Sequence, residues 1–103
     1  MKTIGRHNYY VYILTNFEKT VLYTGVTNST EKRIQEHRAD STGAKNTFAG
    51  KYNCVHVVYL EHHRYINNAI AREKEIKGWR REKKEVLIRT ENPEWKFLEE
   101  EWE

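Results

Sequence analysis

The sequence predicts an α+β fold with elements in the order β-β-α-β-α-α, followed by a helical tail. Three observations predict it. Two short runs of β-branched and aromatic residues, YYVYILT and VLYTGV, flank the polar break NFEK and read as a hairpin. A third run of the same kind, CVHVVYLE, follows much later. The stretches after it space their apolar residues for helices rather than for alternation. With 103 residues and no break in composition, one core is expected, formed by residues 1–90, with residues 91–103 as an acidic amphipathic tail packed on it.

Each element has its own warrant. With NFEK as a four-residue loop, Thr15 opposes Thr20 and Tyr12 faces Tyr23, so two phenols project side by side. NSTE starts the first helix, with Asn28 as N-cap and Glu31 in capping-box spacing. That helix is expected from about Ser29 to about Asp40, with Ile34 its one large apolar residue. STGAKNTFAGKYN is too polar for core and reads as a loop. The third strand spans Cys54 to Glu61. INNAIAREKEI is the second helix, ending near Gly78, where a C-terminal glycine is natural. WRREKKEVLI is the third, with Trp79, Val86 and Leu87 at packing spacing. Beyond Asn92-Pro93, Trp95, Leu98 and Trp102 fall on one helical side, leaving the glutamates to water.

Composition narrows the function. The lone Cys54 allows no internal disulfide and fits a reducing, cytoplasmic setting. No apolar run reaches membrane-spanning length and no leader pattern opens the chain. The net charge of +3 divides into +8 over residues 1–90 and −5 over residues 91–103. So basic a body suits a polyanionic partner, nucleic acid being the commonest. Nothing points to a small-molecule cofactor.

Candidate chemistry lies on two helices. Arg33 and His37 are four apart and share a face; the first offers a planar fork for phosphate, the second exchanges a proton readily near neutrality. On the second helix Ile66, Ala69, Ile70 and Ile76 form one stripe, and Glu73 lies near its centre. A buried carboxylate needs a partner. An ion pair with Arg33 or Lys77 would serve, and so would a hard metal ion, since Mg²⁺ is commonly held by one or two carboxylates plus substrate phosphate.

YVY at Tyr10–Tyr12, YTG at Tyr23–Gly25, then Arg33, His37 and Glu73 within AIAREKEIK together resemble the GIY-YIG nuclease family, in its short stand-alone bacterial form, over roughly residues 8 to 90. The resemblance implies a three-stranded antiparallel sheet flanked by helices, and hydrolysis of DNA phosphodiesters with a single divalent ion, Mg²⁺ or Mn²⁺. It implies Tyr12 as general base for the attacking water, Tyr23 as orienting group, Arg33 as the neutraliser of phosphoryl charge, and Glu73 as metal anchor. His37 would assist proton transfer or phosphate positioning and competes with Tyr12 for the role of base. Gly25 would permit a tight backbone turn beside the site. Tyr10 and Thr24 stand where the family name has glycine and isoleucine. The late asparagine of several catalytic members has no clear counterpart, Asn92 lying beyond the third helix. Lys45 and Thr47 in the loop, with Arg80, Arg81 and Lys84 in the third helix, are candidate contacts to DNA phosphates. The alternatives are a catalytically weak or inactive nucleic-acid-binding module on the same fold, and a protein-interaction domain engaged through the acidic tail.

Overall fold

The first strand, β1 (Tyr9–Thr15), is β-branched or aromatic at nearly every position, and Val11 to Thr15 are all buried. Burial on both faces requires a central strand with layers on either side. The computed structural model describes residues 8–42 and 51–101, and β1 does lie between β2 (Leu22–Thr27) and β3 (His56–His63) in one antiparallel sheet of order β2-β1-β3. Among the described residues the main helices are α1 (Thr30–Thr42), α2 (Ile66–Lys77) and α3 (Arg81–Glu91), followed by a 3-10 turn at Leu98–Glu101. The expected fold class and element order are therefore observed.

The sheet divides the core in two. On one face α1 docks through Ile34 against Tyr12, Leu14, Cys54 and Val57. On the other, Ala69 and Ile76 of α2 and Ile88 of α3 pack on Val11, Ile13, Val58 and Tyr59. Ile88 takes the place expected of Val86, which is 51% exposed.

The hairpin register differs from expectation by two residues: Thr15 pairs with Leu22, Tyr12 with Gly25 and Leu14 with Tyr23. Asn16 is the cause. Its Oδ1 accepts the N–H groups of Thr20 (2.8 Å) and Val21 (3.1 Å), and its Nδ2 donates to Thr20 Oγ1 (2.7 Å). These bonds hold Thr20 and Val21 in the loop, where Lys19 adopts φ 62°. A shift by two keeps every side chain on its own face. Tyr23 is thus diagonal to Tyr12 rather than opposite, with ring centroids 6.4 Å apart.

Other boundaries move for local reasons. Ser29, not Asn28, caps α1, its Oγ accepting the Lys32 N–H at 3.4 Å. A bulge opposite Ile13 and Leu14 lengthens β3 by one unpaired residue. The tail is helical at Leu98–Glu101, as a single 3-10 turn whose Leu98 packs on the core; Trp95, at φ 55°, stands outside it, and Trp102 lies outside the described residues. Nor do all the tail glutamates face water. Glu99 is buried, accepting the Val57 N–H at 2.7 Å and meeting His56 Nδ1 at 2.7 Å. Asn92 is buried as well, its Nδ2 donating to the carbonyls of Val58 and Lys96, both at 2.9 Å. Side chains from the end of the chain thus occupy backbone groups of edge strand β3, which keeps such an edge from pairing elsewhere.

Beneath α2, Thr24 is buried and its hydroxyl has no hydrogen-bond partner among the described residues. A buried hydroxyl without a partner costs about 1–3 kcal/mol. Thr24→Val, which keeps the shape, should raise the free energy of unfolding by about 1 kcal/mol, read as a higher midpoint in urea.

α2 is tied to β3 by Glu61. Its carboxylate accepts from Tyr59 Oη (2.5 Å) and Arg72 Nε (3.1 and 3.2 Å) and meets His63 Nε2 at 2.5 Å. Burial pushes this carboxyl up, but the three hydrogen bonds and the Arg72 charge outweigh it and leave it below the ordinary carboxylate range. Tyr59 is pushed up to about 12, first by burial and then by its bond to Glu61. Because the unfolded chain binds the Glu61 proton more readily, the stabilisation is complete above about pH 4.3 and is lost as pH falls through the depressed folded value. Urea titrations at several acidic pH values should show Glu61→Gln flattening that acid arm.

Candidate active site

Gly25 is the key to the geometry. It lies within β2 opposite Tyr12, not in the tight turn expected of it. A Cβ at Gly25 would sit 2.3 Å from Tyr12 Oη and 2.4 Å from Cζ. The glycine is thus a gap in the strand through which the Tyr12 ring passes, carrying its hydroxyl from the central strand across β2.

His37 reaches the same place from α1. Its ring is 5.6 Å from Tyr23 and 6.4 Å from Tyr12, edge-on to both, and it is buried. One turn earlier Arg33 borders Tyr12 and Ile34, with its Nη1 3.4 Å from Glu36 Oε1. A cleft of about 100 Å³ opens beside it between Thr27 and Lys32. From α2, Glu73 Oε2 meets Lys77 Nζ at 2.5 Å, and that ammonium lies 5.9 Å from the centre of the Tyr23 ring. Of the two partners expected for an ion pair, Lys77 is the one found. Arg33 pairs instead with Glu36, a residue the sequence reading passed over although its i, i+3 spacing marks it.

Electrostatics tie these groups together. Burial raises the Tyr12 pKa most, and the neighbouring Tyr23, Glu73 and Glu36 raise it further, while Arg33 opposes them. All four therefore act on one hydroxyl, which is a neutral phenol in the free protein. Cys54 is also pushed up, to about 11, by burial, and takes no part.

The donor set suits one kind of metal. Among the described residues no group of three His, Cys, Asp or Glu side chains is placed to hold an ion. A caged structural ion does not fit. A hard ion held by one carboxylate, with waters and substrate phosphate completing its shell, does fit Glu73. Among the described residues the histidines outside the site are engaged elsewhere: His56 with Glu99, His62 with Asn8 and His63 with Glu61.

The remaining candidates separate. Lys45 and Thr47 lie outside the described residues. Arg81 is committed to the fold, donating to the carbonyls of Thr20 (2.6 Å) and Lys19 (3.2 Å) and to Glu85 (2.7 Å). Arg80 is exposed and Lys84 half-buried on α3. Asn92 is a structural residue bonded to β3.

A three-stranded sheet presenting two tyrosines, with arginine and histidine on one helix and glutamate on a later one, defines a class. Residues 8–86 match the GIY-YIG catalytic domain, and the chain belongs to this nuclease family. More particularly, its relatives are the small proteins called UPF0213. It is 44% identical to the UPF0213 protein of Syntrophus aciditrophicus over 85 residues, covering 82% of this chain and 93% of that one. The corresponding figures for the UPF0213 protein of Natronomonas pharaonis are 42% over 84 residues, 82% and 94%. The solution structure of a UPF0213 protein from Bacillus halodurans superposes with a TM-score of 0.53 at 32% identity, covering 85% of this chain and 89% of that one.

Proposed function

We propose that the protein is an endonuclease that hydrolyses DNA phosphodiester bonds with one divalent ion, Mg²⁺ or Mn²⁺. The observation that carries the reading is the meeting of Tyr12, Tyr23, His37, Arg33 and Glu73, from two strands and two helices, around one hydroxyl. Glu73 would hold the ion, whose contribution when bound is to neutralise charge at the phosphoryl group. Arg33, at the mouth of its cleft, would neutralise the non-bridging oxygens as charge builds on them. Burial keeps Tyr12 protonated, so in the free protein it is suited to donate a hydrogen bond rather than to take a proton. His37, packed edge-on against both tyrosine rings, would be the acceptor for the proton of the attacking water, and Tyr23 would orient that water.

DNA would be bound mainly through its phosphates, with Arg80 and Lys84 contributing, and so with an affinity that falls steeply with salt. A second reading, a catalytically weak nucleic-acid-binding module, is favoured by the Lys77 ammonium already seated on Glu73. Supercoiled plasmid and branched or flapped DNA, incubated with the protein in Mg²⁺ or Mn²⁺, separate the two. The nuclease reading predicts nicking that a chelator stops. Salt-sensitive binding without turnover in either metal would favour the module.

A further inference from the structure

Glu73 and Lys77 form an unusual version of a common pair. At i, i+4 spacing on a helix surface such a pair is ordinary. Here the glutamate side chain is only 12% exposed and the lysine 50% exposed. The cation thus reaches in from solvent to a carboxylate that the fold has buried beside the phenols.

We propose that Lys77 is a tethered competitor for the metal position on Glu73, so that a divalent ion binds only by displacing its ammonium. The inference rests on the metal-dependent reading above and adds a control to that same site. Two cations cannot share one carboxylate oxygen at contact distance without strong repulsion, and the ammonium is already on Oε2. Displacement is sterically simple, because lysine carries its charge on a flexible four-carbon stem. The Tyr23 ring face lies within 5.9 Å of the ammonium, close enough to attract it.

The surroundings also say where the displaced charge would go. Lys84 is held below the ordinary lysine range, first by burial and then by the charges of Arg81 and Lys77. Cations are therefore crowded at the junction of α2 and α3, and a DNA phosphate would relieve that crowding. A phosphate drawing Lys77 off Glu73 would vacate the carboxylate as substrate arrives, and metal and DNA would favour each other's binding.

The test is Mn²⁺ binding to the free protein without DNA, followed by the electron paramagnetic resonance signal of unbound Mn²⁺. Lys77→Met should tighten binding about tenfold once the competing charge is removed. Lys77→Gln should do the same, which guards against a fault in either replacement. Lys83→Met removes an equal charge from the exposed face of the next element and should change binding by less than about twofold. Unchanged or weaker binding in both Lys77 variants, with binding still lost in Glu73→Gln, would overturn the competition alone. Binding that survives Glu73→Gln would remove the metal assignment and the competition together.

Discussion

Glu73→Gln should lower metal-dependent strand cleavage by at least about a thousandfold while leaving the protein folded. Glutamine has nearly the shape of glutamate, so the packing between Ala69 and Ile76 on the buried face of α2 survives. What is lost is the charge that would hold the ion. Lys77, half exposed, can turn to water when its partner is neutralised, so stability should change by no more than about 1 kcal/mol. Plasmid nicking and a thermal melt on the same preparation measure both quantities. A variant that melts normally and still nicks at the wild-type rate would show that the wrong carboxylate has been chosen.

Gly25→Ala should damage structure and activity together. The added carbon would sit 2.3 Å from Tyr12 Oη, 2.4 Å from Cζ and 2.9 Å from Cε1. These atoms belong to a rigid, buried ring, not to the end of a flexible chain. Relief requires the ring to leave its position across β2 or the strand to separate from β1. Overpacking of this kind costs about 1–3 kcal/mol, and moving the phenol by an ångström should reduce cleavage about a hundredfold. A double-mutant cycle isolates the cause. In a Tyr12→Ala background the stability cost of Gly25→Ala should largely vanish, whereas an undiminished cost would place the strain elsewhere.

Much of the site was legible because its parts are set by short spacings. Arg33 and His37 share a face wherever α1 begins, so mistaking Asn28 for the cap did no harm. Tyr12 and Tyr23 stayed on one face although the register was wrong, because the error was two residues and the strand repeat is two. Glu73 was conspicuous as a charge within an apolar stripe, and of its two candidate partners Lys77 was the one at i, i+4 spacing on the same helix.

What escaped the sequence depends on side chains capturing backbone at a distance. Asn16 folding back on Thr20 and Val21 lengthens the hairpin loop, and no turn signature in NFEK announces it. Glu99 on the Val57 N–H joins residues 42 apart in sequence, and its acidic neighbours make it look like one more solvated charge. The role of Gly25 was misread for a related reason. A glycine suggests a turn, but here it makes room for a ring belonging to another strand, which only the register reveals.

The central claim is that a divalent ion sits on Glu73 beside the two phenols and the imidazole. Paramagnetic line broadening in a side-chain NMR spectrum, during titration with substoichiometric Mn²⁺, tests it most directly. The account predicts that ring signals of Tyr12, Tyr23 and His37 broaden first, before those of Tyr10 and His62, which pair with each other further along the sheet. Broadening centred on His56, His62 or His63, with the two site tyrosines left sharp, would contradict it.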